Sequence, residues 1–189
     1  MRDELRHAQL CAAIGATLGA SPPAYDAAPV RARLAALPDA RMRAVSLLLV
    51  EVAIGETISM YLFRAGRRAA SEPLTRAALG AIAGDEVRHQ RIGWSGLDAA
   101  WPSLDASLRE WMQGEAARGL AGCEQATAAP AMRWLKEGRP FDPAYGALGV
   151  LDPEVRIETF YAAVERLVVP RLTRLGLDGP RAWSDRYRA

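Results

Sequence analysis

Histidine and cysteine are scarce in this 189-residue chain, with two of each. Cys11 and Cys123 are too few for a disulfide framework or a thiolate zinc site. Lysine is nearly absent. Lys136 is the only one, so the basic side chains are almost all arginine. A formal net charge of +2 is too mild to mark a nucleic-acid or membrane partner. No predicted helix carries a dense basic stripe, which argues against a helical DNA-binding regulator. Uninterrupted apolar runs fall short of a membrane span, because the richest, Val45–Phe63, contains Glu51 and Glu56. Met1-Arg2-Asp3-Glu4 does not read as the opening of a signal peptide. These absences lead us to expect a soluble cytoplasmic protein with no nucleic-acid and no membrane partner.

What is present is helix-forming. Half of the residues are hydrophobic, enough for one domain with a single core. Ala, Leu, Arg and Glu dominate, and no segment alternates apolar and polar as a strand would. The pattern predicts an all-α fold. A first helix runs to about Ala20 and stops at Ser21-Pro22-Pro23. A short helix is expected around Val30–Leu37. Pro38-Asp39 opens a long helix reaching about Ala70, apolar on nearly every face between Val45 and Phe63 and therefore expected inside other helices. Ser71-Glu72-Pro73 breaks it and caps the next helix, which ends by Trp101-Pro102. A further helix spans roughly Leu104–Thr127. Residues Pro130–Val150 read as mostly loop. Asp152-Pro153 starts a last helix that runs to about Leu175 with a kink near Pro170, and the Arg-rich tail after Gly176 reads as loosely ordered.

Both histidines sit in the same pentapeptide: Asp3-Glu4-Leu5-Arg6-His7 and Asp85-Glu86-Val87-Arg88-His89. Glutamate fills 12 of 189 positions, so finding it at the same offset before both histidines is a rare accident. On a helix, positions three apart share a face, and Glu and His then project together as a metal half-site requires. A third carboxylate, Glu56, lies within the apolar helix. An unpaired buried carboxylate is costly, so it must be neutralised, paired or bound to a cation. The midpoint of residues 56 and 86 is residue 71, the break between their helices. Each lies about 15 residues, roughly 22 Å, from that turn, so the two stand at one level of an antiparallel hairpin. Glu51 is five residues from Glu56, about 140° around an α-helix, and is expected outside the ligand set or in an ion pair unless the helix is distorted.

These residues resemble the ferritin-like superfamily of diiron-carboxylate proteins, whose four-helix bundles hold a Glu on each of two helices and Glu-x-x-His on the other two. The resemblance covers Met1 to about Trp101. It implies that Glu4 and His7 ligate one iron and Glu86 and His89 the other, with Glu56 as a terminal carboxylate. It also implies that Asp3 and Asp85 orient the imidazole N–H of the opposite half-site, while Arg6 and Arg88 pair with carboxylates just outside. Two iron ions are the implied cofactor, with manganese as the alternative for the same carboxylate and imidazole donors. The implied function is an oxidoreductase using O2, an oxygenase acting on a small organic substrate. A ferroxidase or iron-handling protein, or a non-catalytic helical binding protein that keeps the bundle, are the competing expectations.

Residues 1–102 would form this metal-binding unit and 103–189 a helical extension on the same core. Glu56 stands thirty residues before Glu86. The same rule would place a partner for Glu4 upstream of Met1, so the first half of the site is expected to be incomplete and its seam to favour a homodimer or a weakened first helix. Glu158 is the candidate sixth ligand from a later helix, although the stripe Ile157, Phe160, Val164, Leu167 turns it toward solvent. Glu110 and Glu115 offer further carboxylates.

Overall fold

Aspartate caps and proline starts set most of the helix boundaries in this chain. A computed structural model describes residues 2–21 and 26–188; it is 83% helical, and the described residues contain no strand. The fold is all-α. Helix α1 spans Arg2–Thr17 and α2 Ala28–Ala35. Helix α3 runs Ala40–Ala69, α4 Pro73–Ala100 and α5 Ala106–Lys136. A short α6 covers Pro143–Ala147, α7 covers 153–175, and α8 Gly179–Asp185. Asp39, Asp105 and Asp152 cap α3, α5 and α7 by accepting backbone N–H groups of their first turns. Glu72 does the same for α4, with Pro73 at its first position.

Helix α1 ends three residues before the expected Ala20. Gly19 adopts a left-handed φ of 72°, and the amides of Gly19 and Ala20 close back on Ala16 and Gly15. That is a glycine cap of the Schellman kind. Pro22 and Pro23, the expected stop, lie outside the described residues.

Helices α3 and α4 form an antiparallel hairpin and make the most extensive helix pair. Residues Leu47–Gly55 of α3 are π-helical. The widened segment fits because its neighbours are small. A Cβ on Gly93 of α4 would meet the Ala53 backbone at 2.7 Å, and one on Gly119 of α5 would meet Val50 at 3.0 Å. By length and composition α3 could cross a membrane, but Leu49, Ala53 and Ile54 are fully buried against other helices. One core runs from Val45, Leu49 and Ile58 on α3 through Trp94 and Leu97 to Met112 and Leu120 on α5. It continues to Phe160, Val164, Val168 and Leu172 on α7 and Ala182 on α8.

Three expectations fail in the second half. Helix α5 passes through Pro130 and continues to Lys136, beyond the expected end at Thr127. Proline forfeits one hydrogen bond and crowds the preceding turn, but Ala128 and Ala131 are buried on either side and hold the segment in register. The helix ends instead where Gly138 turns left-handed at φ 63°. The expected loop after Pro130 also contains α6. The tail is not loose: α8 is docked by Trp183, packed on Phe160 and Tyr161, and by Arg186, whose Nε donates to Glu124 at 3.0 Å. Ahead of Pro170, where a kink is expected from the sequence, residues Val164–Val168 are π-helical. Pro170 cannot donate to the carbonyl four residues earlier, and a register change just before it absorbs that loss.

Candidate metal centre

The core-facing stripe of α4 carries Ile82, Glu86, Gln90, Gly93 and Leu97, all buried. Glu86 takes a position that would ordinarily hold a leucine, and it is only 3% exposed. Asp85, beside it, is 6% exposed and turned toward α1. Glu56 reaches the same level from α3, as the hairpin arithmetic places it. Glu4 and His7 come from α1, which rests mainly on α4 and buries only His7.

One ligand atom from each of Glu4, Glu56, Glu86 and His89 lies within 4.8 Å of the others. His89 Nδ1 is 2.9 Å from Glu86 and 3.0 Å from Glu4. His7 stands at the edge of this group, its Nδ1 3.4 Å from both Glu4 and Glu86. The two imidazole centroids are 6.0 Å apart. The outward nitrogens are crossed between the half-sites. His7 Nε2 lies 3.0 Å from Asp85 of the second pentapeptide, and His89 Nε2 lies 3.3 Å from Asp3 of the first.

The arginines go to the aspartates. Arg6 bonds Asp85, and Arg88 donates to Asp85 at 2.6 Å and to Asp3 at 3.1 Å. The hydrogen bond to His7, joined by that from Arg6, holds Asp85 below its ordinary pKa. His89 and then Arg88 do the same for Asp3. Among the described residues no arginine or lysine pairs with Glu4, Glu56 or Glu86. Burial, reinforced by the Glu86 carboxyl beside it, pushes Glu56 up to about 8. Burial raises Glu86 as well.

This division of labour bears on the histidines. If each Nε2–H donates to its anionic aspartate, each Nδ1 carries a lone pair. The Nδ1 of His89 then faces carboxylate oxygens at about 3 Å, acceptor against acceptor. Such a contact calls for a proton or a cation between the groups. Three carboxylates and two imidazoles are also the donor types that iron or manganese prefers. The residues present therefore fit a divalent metal centre.

Other sequence candidates lie elsewhere. Glu51, despite the π-helical distortion beside Glu56, turns away to an ion pair with Arg33 at 2.7 Å and is half exposed. Glu158 is exposed on α7 and belongs to no cluster. Glu115, one of the further carboxylates the sequence offers, is buried away from the cluster and accepts from Ser46, from Arg33 at 2.9 Å and from Arg118 at 2.6 Å. It joins α2, α3 and α5. Its signal in the sequence was only a Glu on a helix with weak periodicity. Comparison with protein-family models, with curated proteins and with solved structures finds no match for this chain.

Proposed function

We propose that the protein is a ferritin-like dimetal carboxylate protein that binds two iron ions and uses them with O2 as an oxidoreductase. The observation that carries this reading is the contrast between neighbouring acids. Asp3 and Asp85 are neutralised by arginine, whereas Glu4, Glu56 and Glu86 face one another and the two Nδ1 atoms with no cationic side chain among the described residues. In this reading Glu4, His7, Glu56, Glu86 and His89 are the ligands. Asp3 and Asp85 hold the imidazole tautomers, and Arg6 and Arg88 keep those aspartates ionised. A bound dinuclear iron centre would supply the redox chemistry toward O2, with manganese the alternative metal. The chain supplies mixed carboxylate and imidazole ligation on a partly buried floor formed by the α3–α4 hairpin.

The test is O2 uptake by protein loaded anaerobically with Fe(II). The proposal expects O2 consumption and Fe(II) oxidation that require Glu86, so that Glu86→Gln reduces both to the rate of free iron. Turnover sustained by added Fe(II) alone marks a ferroxidase, and turnover that needs an organic co-substrate marks an oxygenase. Wild type no faster than free Fe(II) would reject the redox assignment.

A further inference from the structure

A cavity of about 650 Å³ opens where the C-terminal part of α5, the 139–151 segment and the start of α7 meet. None of its lining residues belongs to the carboxylate–histidine cluster. Its walls are aromatic: Trp134 on α5, Phe141, and Tyr145 on α6, the last two edge-on with centroids 6.1 Å apart. The volume is that of an ordinary small-molecule site.

Two of the polar groups in these walls, the indole of Trp134 and the guanidinium of Arg156, have donors left without an acceptor. Arg156 of α7 spends its Nε on the Thr127 carbonyl at 3.0 Å, in the turn of α5 that Pro130 disturbs. Its two terminal nitrogens have no hydrogen-bond partner and no carboxylate within salt-bridge reach among the described residues. It is half-buried, and burial alone lowers its pKa. The indole N–H of Trp134 is buried with no acceptor. Arg139 stacks over the Trp134 ring at 3.8 Å and is already ion-paired with Glu137 at 3.6 Å. The half-buried Arg156 guanidinium has no counter-charge beside it, and its planar fork matches a carboxylate in bidentate fashion. Flat aromatic walls suit an apolar, ring-sized body. One unpaired guanidinium in a largely apolar cavity balances a single negative charge better than a dianionic phosphate.

We propose that this cavity binds a small aromatic carboxylate, its carboxylate on the terminal nitrogens of Arg156 and its ring among Trp134, Phe141 and Tyr145. The site is independent of the metal centre.

Calorimetric titration of the full chain, with and without chelator, tests this using phenylacetate, its neutral analogue phenylacetamide, and inorganic phosphate. Phenylacetate is expected to saturate one site per chain, with Kd in about the millimolar range or tighter. Phenylacetamide should bind at least about tenfold more weakly, Arg156→Gln should abolish that preference, and chelator should change nothing. Arg156→Lys keeps the charge but loses the fork. It is expected to weaken phenylacetate about tenfold, which keeps the proposal testable should the Gln variant not fold. Absence of saturable phenylacetate binding, equal affinity for the amide, a full preference retained in either variant, tighter binding of phosphate, or loss of binding on chelation would each overturn it.

Discussion

Helix α1 buries one residue, His7, whereas α4 buries ten, Asp85 and Glu86 among them, although both carry the pentapeptide Asp-Glu-x-Arg-His. The α4 copy stands on a hairpin whose α3 partner approaches to backbone contact at Gly93. The α1 copy leaves Leu5 62% exposed and is tied down chiefly by Asp3, Arg6 and His7, which all reach for residues of α4. The same five residues thus serve two purposes. On α4 they are carried by a core that exists without them. On α1 they are themselves the docking contacts. A cation held between the halves would therefore also fix α1, because binding energy gained only in the docked form stabilises that form.

The largest expected effect separates the two supports. Phe160 is fully buried in the shared core. Phe160→Ala should cost about 3–5 kcal/mol in denaturant unfolding. Leu5→Ala on α1 should change stability by no more than about 0.5 kcal/mol. Comparable costs would show that α1 is as much a part of the core as α7.

Asp85→Asn comes next, because Asp85 holds both His7 and Arg6. It should lower metal affinity by about 10–100-fold, a typical loss when the partner of a ligating histidine is removed. Amide exchange should accelerate across Arg2–Thr17 and not across Pro73–Ala100. Asp3→Asn should do the same to a smaller degree, since Asp3 lies in the more exposed half. A loss of protection spread equally over α1 and α4 would erase the distinction.

A separate effect is on pH dependence. Glu56 has a folded-state pKa of about 8 against an ordinary value of 4.5. Without metal, the folded protein holds this proton where the unfolded chain releases it. The contribution to stability is complete below about pH 4.5 and is lost as pH rises through about 8. Metal must displace the same proton, so affinity should rise with pH over that range. Glu56→Gln should flatten the metal-free stability profile between those values and leave the protein no less stable at pH 8, as judged by thermal unfolding. A marked loss of stability at pH 8 would assign Glu56 a structural bond instead.

What could be read from the sequence follows the range of the interactions. The α3–α4 hairpin and the level of Glu56 against Glu86 were legible because a turn, a rise per residue and a helical face are local quantities. The crossing of Asp85 to His7 and Asp3 to His89 follows from the same pentapeptide facing itself. Pro130 misled because the packing of Ala128 and Ala131 outweighs a local preference for stopping. The order of the tail was hidden for a similar reason. It depends on Arg186 meeting Glu124, 62 positions away, with the Tyr161 hydroxyl donating to the same carboxylate at 2.6 Å. Glu51 was legible only as an alternative, since its partner Arg33 sits on a short helix whose position no periodicity reveals.

The central claim is that two half-sites on unlike supports hold a pair of metal ions. Counting metal tests it most directly: load the purified chain with Fe(II) anaerobically, remove unbound iron, and measure iron per chain in wild type, His7→Ala and His89→Ala. The account predicts about two ions per chain in the wild type and a loss in each variant with the helical content unchanged, as expected when one ligand is removed from an otherwise intact site. Fewer than one ion per chain in the wild type, or full occupancy in both variants, would contradict it.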